Sequence, residues 1–183
     1  MISDTKVVAI GGGTGLSTML KGLKLHTHNI TAVVTVADDG GSSGILRSDL
    51  GMLAPGDVRN CVSALAEVDP VMGELLNFRF KDGSLKGHSL GNLFLAALNE
   101  TSSSFDEAVK KFSHLTGVVG TVYPVTNESV TLSALLEDGR LIEGESHIGV
   151  HHDGPKNGIV KLMVNPEKPK AVDGVIKALE KAI

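Results

Sequence analysis

Val7-Val8-Ala9-Ile10-Gly11-Gly12-Gly13-Thr14-Gly15 is the stretch that decides how this 183-residue chain is read. Its four leading apolar residues show no polar alternation, as expected of a strand buried on both faces of a parallel sheet. Gly11, Gly12, Gly13, Thr14 and Gly15 follow at once, and Leu16, Met19, Leu20 and Leu23 then recur at helical spacing. A strand that turns through glycines into a helix aims several N–H groups outward at the helix's positive end. That arrangement favours an anion, phosphate above all. The dinucleotide fingerprint is met only in part: Gly11 and Gly13 fit, but Leu16 stands at the third glycine position. No Gly-Lys-Ser/Thr follows, so the Walker A pattern fails. Taken alone, the turn is equally a tight strand–helix connection without a ligand.

Outward from this stretch, Ile30 to Val36 (ITAVVTV) reads as a second buried strand. It runs straight into Ala37-Asp38-Asp39-Gly40-Gly41-Ser42-Ser43-Gly44. The two strands and the helix between them form a βαβ unit with a right-handed crossover. Both glycine-rich loops then leave the carboxyl ends of parallel strands, the edge where open α/β sheets bind ligands. Asp38 ends the second strand, where an acidic side chain reads ribose hydroxyls. Ile45 to Leu53 is expected as a short helix. Asp57, in Ala54-Pro55-Gly56-Asp57-Val58-Arg59-Asn60, is read as the N-cap of a helix carrying Val58, Cys61, Val62 and Leu65. Arg59 and Asn60 fall in its first turn, where a cation opposes the helix dipole, a hint of a ligand or carboxylate partner.

Pro70 to Phe80 reads as a helix with a broad apolar face of Val71, Met72, Leu75, Leu76 and Phe78. His88-Ser89-Leu90-Gly91-Asn92 opens the helix Leu93 to Glu100, and His88 and Asn92 share a face if His88 is helical. Gly91 inside a helix costs about 1 kcal/mol against Ala, which points to a close backbone approach. Ser104 to Glu107 resembles a capping box ahead of Phe105, Val109, Phe112 and Leu115. Val118 to Tyr123 is a strand, and Ser129 to Leu136 and Arg140 to Ile148 flank an Asp138-Gly139 hairpin turn. Ile159 to Val164 is one more strand. Ala171 to Ile183 is a helix with Val172, Ile176 and Leu179 inward. His147, His151 and His152 match no standard zinc spacing and are read as loop residues, so no metal site is assigned.

Composition bounds these readings. Five Phe, one Tyr and no Trp leave the core to aliphatic side chains. A net charge of −4 with interspersed signs gives no footprint for nucleic acid or an anionic membrane. No apolar run approaches the roughly 18 residues of a membrane helix, and the amino terminus lacks a signal-peptide pattern. The single Cys61 leaves no internal disulfide and fits a reducing compartment. A cytoplasmic protein without membrane insertion is expected. Residues 1–183 read as one nucleotide-binding domain, incomplete at its carboxyl end because no strand follows the last helix. An open sheet edge and uncovered apolar surface would then favour a homo-oligomer.

The motifs VVAIGGGTGLSTMLKGLK, ITAVVTVADDGGSSG, PGDVRNC and GHSLGNLFLAALNE, in that order, resemble the gluconeogenesis-factor (YvcK-like) branch of the CofD family. The resemblance covers nearly the whole chain. It implies an α/β fold with a Rossmann-like parallel sheet, flanking helices and an inserted β-hairpin segment. It further implies a protein of carbon metabolism and cell-shape control that binds UDP-sugars such as UDP-GlcNAc. Phosphates would lie on Gly11 to Gly15, and sugar or ribose hydroxyls on Asp38, Asp39 and Ser42 beside Gly40 and Gly41. Asp57, Arg59, Asn60, His88 and Asn92 would complete the pocket by analogy. Family members continue well beyond this length. The other branch transfers a 2-phospholactyl group from a nucleotide diphosphate donor to a deazaflavin. For that enzyme reading, Asp38 and Asp39 would hold Mg²⁺. A nicotinamide oxidoreductase is disfavoured by the missing third glycine and by the GGSSG loop.

Overall fold

A computed structural model of the chain describes residues 3–149 and 157–182. β1 (Val7–Gly11) lies parallel to β2 (Ile30–Val34), with Val7 opposite Ile30 and Gly11 opposite Val34. α1 (Gly13–Leu23) makes the crossover between them. Five helices follow: α2 (Gly41–Leu50), α3 (Pro55–Leu65), α4 (Pro70–Asn77), α5 (Leu90–Glu100) and α6 (Phe105–Leu115). β3 (Thr121–Pro124) then pairs parallel with β2, giving the order β1-β2-β3. The ITAVVTV strand thus ends at Val34, and the strand expected from Val118 starts at Thr121.

Strand alternation divides the core. Ala9, Ala32, Val34 and Val122 join Leu16, Leu20, Val58, Val62, Leu65 and Phe112 in the main cluster. Val33 and Val8 belong to a second cluster, covered by Val175 of α8 (Asp173–Ala182) and by Val172 just before it. The expectation that β1 is buried on both faces needs correction, because α8 leaves Ile10 62% exposed. Ile176 is also exposed rather than inward. The buried stripe follows Val172, Val175 and Leu179, an i, i+3, i+7 series. Met19 on α1 and Leu115 on α6 face outward as well.

Other boundaries shift for local reasons. α2 begins at Gly41, not Ile45, so the glycine-serine run is a helix's first turn, and Gly51 in the left-handed region ends it. α3 starts at Pro55 with Ala54 at the N-cap, which places Asp57 inside the first turn instead of at the cap. Proline suits that first position because its missing N–H would be unbonded anyway. α4 stops at Asn77 and buries only Leu76, leaving Val71, Met72, Leu75 and Phe78 exposed.

The Asp138-Gly139 turn forms, but its second arm is brief. β4 (Thr131–Leu136) pairs antiparallel with β5 (Leu141–Glu143). Gly144, at φ 95°, then diverts the chain into α7 (Glu145–Gly149). β6 (Ile159–Asn165) pairs antiparallel on the other side of β4 and completes a separate sheet, β5-β4-β6. No helix among the described residues is long and apolar enough to cross a membrane.

Candidate functional site

The two glycine turns do meet at the carboxyl ends of β1 and β2, and side chains of α2, α3, α4, α5 and α7 converge on them. Gly12 is the N-cap of α1. A Cβ at Gly12 would collide with Thr35 Oγ1 and lie 3.0 Å from Asp57 Oδ2, and one at Gly13 would lie 3.1 Å from Asp57 Oδ1. The Asp57 carboxylate lies against this turn, where the Gly13 N–H favours its charged form. The positive end of α1 therefore already holds an anion, supplied by the protein itself. Thr14 and Gly15, one step on, are exposed.

Asp38 and Asp39 diverge. An Asp38 oxygen accepts from the Gly40 N–H at 2.9 Å, and its carboxylate lines a hollow of about 210 Å³ with Gly40, Gly41, Ser42, Asp57 and Asn60. Asp39 turns to the second sheet, where Oδ1 accepts from the Ser146 N–H at 2.8 Å. Burial works against its charge. The Ser146 N–H and hydroxyl, its own backbone and nearby His147 together outweigh that and hold it below the usual carboxylate range. Asp39 is thus a latch between β2 and α7.

Four of the expected residues, Ser42, His88, Asn92 and Arg59, assemble into one buried network. Ser42 Oγ bonds His88 Nδ1 at 2.9 Å and accepts from Asn92 Nδ2 at 3.1 Å. Asn92 Oδ1 accepts from Arg59 Nε at 3.3 Å, and Asn77 Oδ1 accepts from Arg59 Nη1 at 2.8 Å. His88 precedes α5 and is not helical, so the condition for its sharing a helix face with Asn92 is not met. Ser89 is the N-cap of α5, and its hydroxyl accepts from the Asn92 N–H at 3.2 Å. The close approach at Gly91 is real: a Cβ there would stand 2.6 Å from the Leu76 carbonyl oxygen and 2.9 Å from Arg59 Cδ.

Charges of both signs line the hollow: Asp38, Asp57, Arg59 and Arg79. Burial first and the Asp38 charge second push the Asp57 carboxyl up, against the Gly13 N–H and Arg59. Burial and the carboxylates Asp38, Asp57 and Asp39 push Glu145 up too. Burial and neighbouring Arg79 lower the Arg59 pKa while Asp57 opposes them. Arg47 ties the region together, donating to the Ala37 and Asp38 carbonyls at 3.1 and 3.2 Å and to the Val130 carbonyl at 2.9 Å. Glu145, Ser146, Arg79, Asn77 and Arg47 escape a reading of the sequence. Each lies outside the glycine motifs, and only the Arg59 charge against the α3 dipole hinted at further partners.

A larger hollow of about 640 Å³ lies along β3 between α6 and the start of α8. It contains neither glycine turn nor any of the buried polar network, so the smaller one is taken as the site. Of the histidines, His147 bonds the Glu143 carbonyl at 2.8 Å and is exposed, whereas His151 and His152 lie outside the described residues.

A parallel sheet with flanking helices and a separate antiparallel sheet define a Rossmann-like α/β class. Within it the chain belongs to the CofD family: the model described as 2-phospho-L-lactate transferase CofD matches residues 7–183. It is 53% identical over 182 residues to a putative gluconeogenesis factor of Clostridium acetobutylicum, covering all of this chain and 40% of that protein. It is 46% identical to the gluconeogenesis factor of Bacillus subtilis, covering 94% of this chain and 55% of the other. A crystal structure of a UPF0052 family member from Bacillus halodurans superposes with a TM-score of 0.90 at 42% identity, over 98% of this chain and 57% of that one. The chain spans about half the length of the relatives it matches.

Proposed function

We propose that this chain is a nucleotide-sugar-binding regulatory domain of the gluconeogenesis-factor kind, acting in the cytoplasm in carbon metabolism and cell-shape control. UDP-sugars, UDP-GlcNAc among them, are the ligand class. The observation that carries the reading is the hollow beyond the carboxyl end of β2, lined by the carboxylates Asp38 and Asp57 together with the guanidinium groups Arg59 and Arg79. A phosphorylated sugar presents both hydroxyl donors and a multiply charged anion, which such a hollow matches. About 210 Å³ is less than the 300 Å³ or more that usually encloses a whole ligand. The hollow therefore takes one portion of the molecule, and the rest lies over the exposed Thr14 and Gly15. The relatives' name, gluconeogenesis factor, supports the carbon-metabolism part of the reading.

A second reading has one observation in its favour. Asp38 and Asp57 lie close enough that the charge of one raises the pKa of the other, a pair that a divalent cation would relieve. Asp38 and Asp57 would hold Mg²⁺, which would supply neutralisation of phosphate charge for a CofD-type transfer of a phospholactyl group to a deazaflavin. A thermal-shift series against UDP-GlcNAc, GDP, NAD and a deazaflavin, with Mg²⁺ or with EDTA, separates the two. The sensor reading expects UDP-sugar stabilisation that survives EDTA. Stabilisation only by deazaflavin or only with Mg²⁺ would replace it with the transferase.

A further inference from the structure

We infer that the anion seat of this site is the guanidinium end of the hollow, formed by Arg59, Arg79 and the amino-terminal turn of α2, and not the Gly11–Gly15 turn. The inference rests on the phosphate-bearing-ligand reading above and changes where its phosphate sits.

Two independent observations lead there. The first concerns the glycine turn. Its helix end is filled by the Asp57 carboxylate, whose oxygens stand 3.0 and 3.1 Å from where a Cβ would lie at Gly12 and Gly13, with the Asp38 charge near enough to act on it. A phosphate placed there would meet like charge at close range, which is strongly unfavourable where burial limits screening. The second concerns Arg59. Its side chain is almost wholly enclosed, 7% exposed, yet its bonds run to the neutral amide oxygens of Asn77 and Asn92. Among the described residues no carboxylate lies within ion-pair distance of it. A buried guanidinium bonded only to amides retains its charge and its fork of donors, so it is held ready for an anion.

The surroundings complete the seat. Arg79 lines the same hollow and is near enough to depress the Arg59 pKa, although two like charges repel without a shared counter-ion. It is anchored by the Gly87 carbonyl. α2, ten residues long, begins at Gly41 with no side-chain cap on its N–H groups, and its first residues line the hollow. Bidentate guanidinium contacts and open helix N–H groups together recognise phosphate. Ser42 sits between α2 and the Asn92–Arg59 pair, so one buried network sets both parts of the seat. Asp38, which accepts the N–H of the α2 cap residue Gly40 at 2.9 Å, and Asp57 line the same hollow and are left to accept hydroxyls.

Calorimetric titration of the intact chain with inorganic pyrophosphate and with UDP-GlcNAc, both in EDTA, tests this. Arg79→Ala is the variant of choice, because Arg79 is exposed and its removal leaves the core untouched. A loss of about tenfold or more in affinity for both probes is expected, the size of one charge-assisted hydrogen bond, with partial rescue by Arg79→Lys and an unchanged Tm. If UDP-GlcNAc fails to bind the native chain but pyrophosphate binds and Arg79→Ala abolishes it, the seat stands and the nucleotide-sugar reading falls. If UDP-GlcNAc binds Arg79→Ala as tightly as the native chain, the seat is overturned while the nucleotide-sugar reading survives. Absence of pyrophosphate and UDP-GlcNAc binding to the native chain overturns both.

Discussion

Asp57 shows how a single residue in this site trades stability for chemistry. It fills the positive end of α1 and faces Asp38, and burial raises its pKa above the ordinary 3.8. A carboxyl whose folded pKa stands above its unfolded value supports folding fully only below the unfolded pKa. That support is lost as pH rises through the folded pKa. At neutral pH the charged form is therefore a burden on the fold. Asp57→Asn keeps an acceptor for the Gly13 N–H and removes the repulsion, so it should raise the Tm at pH 7 by a few degrees, on the order of 2–4 °C. The gain should shrink as the pH falls toward 4. A Tm lowered at pH 7, or raised equally at both pH values, would show that the Asp57 charge is favourable in the fold. Loss of function alongside gain of stability is the ordinary pattern where a site holds strained charge.

Among the elements, the crossing of α4 and α5 is where packing and the site share one tolerance. Gly91 lets α5 approach the Leu76 carbonyl and the Arg59 stem, which in turn aims the guanidinium at Asn77 and Asn92. A methyl group at that position has backbone on one side and an enclosed side chain on the other, so relief requires the helices to separate. Gly91→Ala should cost about 1–3 kcal/mol, the usual penalty of overpacking, despite the better helix propensity of alanine. Urea unfolding measures it directly. A variant as stable as the native chain would mean that α4 slides freely on its outer, exposed face. The capping of α6 shows a milder adjustment. Ser104 Oγ accepts from the Glu107 N–H at 3.4 Å, but the Glu107 carboxylate reaches back to the Ser103 N–H at 2.8 Å, one residue before the cap.

At the scale of the whole molecule, one surface stands out for association. β6 is the edge of the antiparallel sheet, and Val160, Leu162 and Val164 are exposed along it together with Ile159. An exposed apolar edge strand is a template for pairing with another chain. The homo-oligomer anticipated from the sequence would form here. Sedimentation velocity should show concentration-dependent association that Val160→Lys with Leu162→Lys abolishes, without loss of the parallel-sheet core. Identical sedimentation of the native and doubly substituted chains would remove β6 as the interface.

The sequence by itself determined the local machinery. Contiguous apolar runs ending in glycines specify strand, turn and helix within a dozen residues, so Val7 to Leu23 and the α/β class are legible without coordinates. Asp138-Gly139 likewise forces its hairpin through the backbone freedom of glycine. Gly91 was legible as a close approach, because a helix interior tolerates glycine only where something demands the room. Tertiary structure alone decided which distant groups meet. Asp39 and Ser146 are 107 positions apart, and Arg59 reaches Asn92 across 33. An apolar run such as Ile159 to Val164 carries no mark of its partner, so only packing assigned it to β4 rather than to the parallel sheet. Burial is the same kind of collective outcome. The pattern of Val7 to Ile10 licenses a strand covered on both faces, yet Ile10 stays exposed because α8 lies elsewhere on that face. Periodicity is a property of neighbours along the chain, whereas enclosure, pairing and charge repulsion depend on what the rest of the fold brings near.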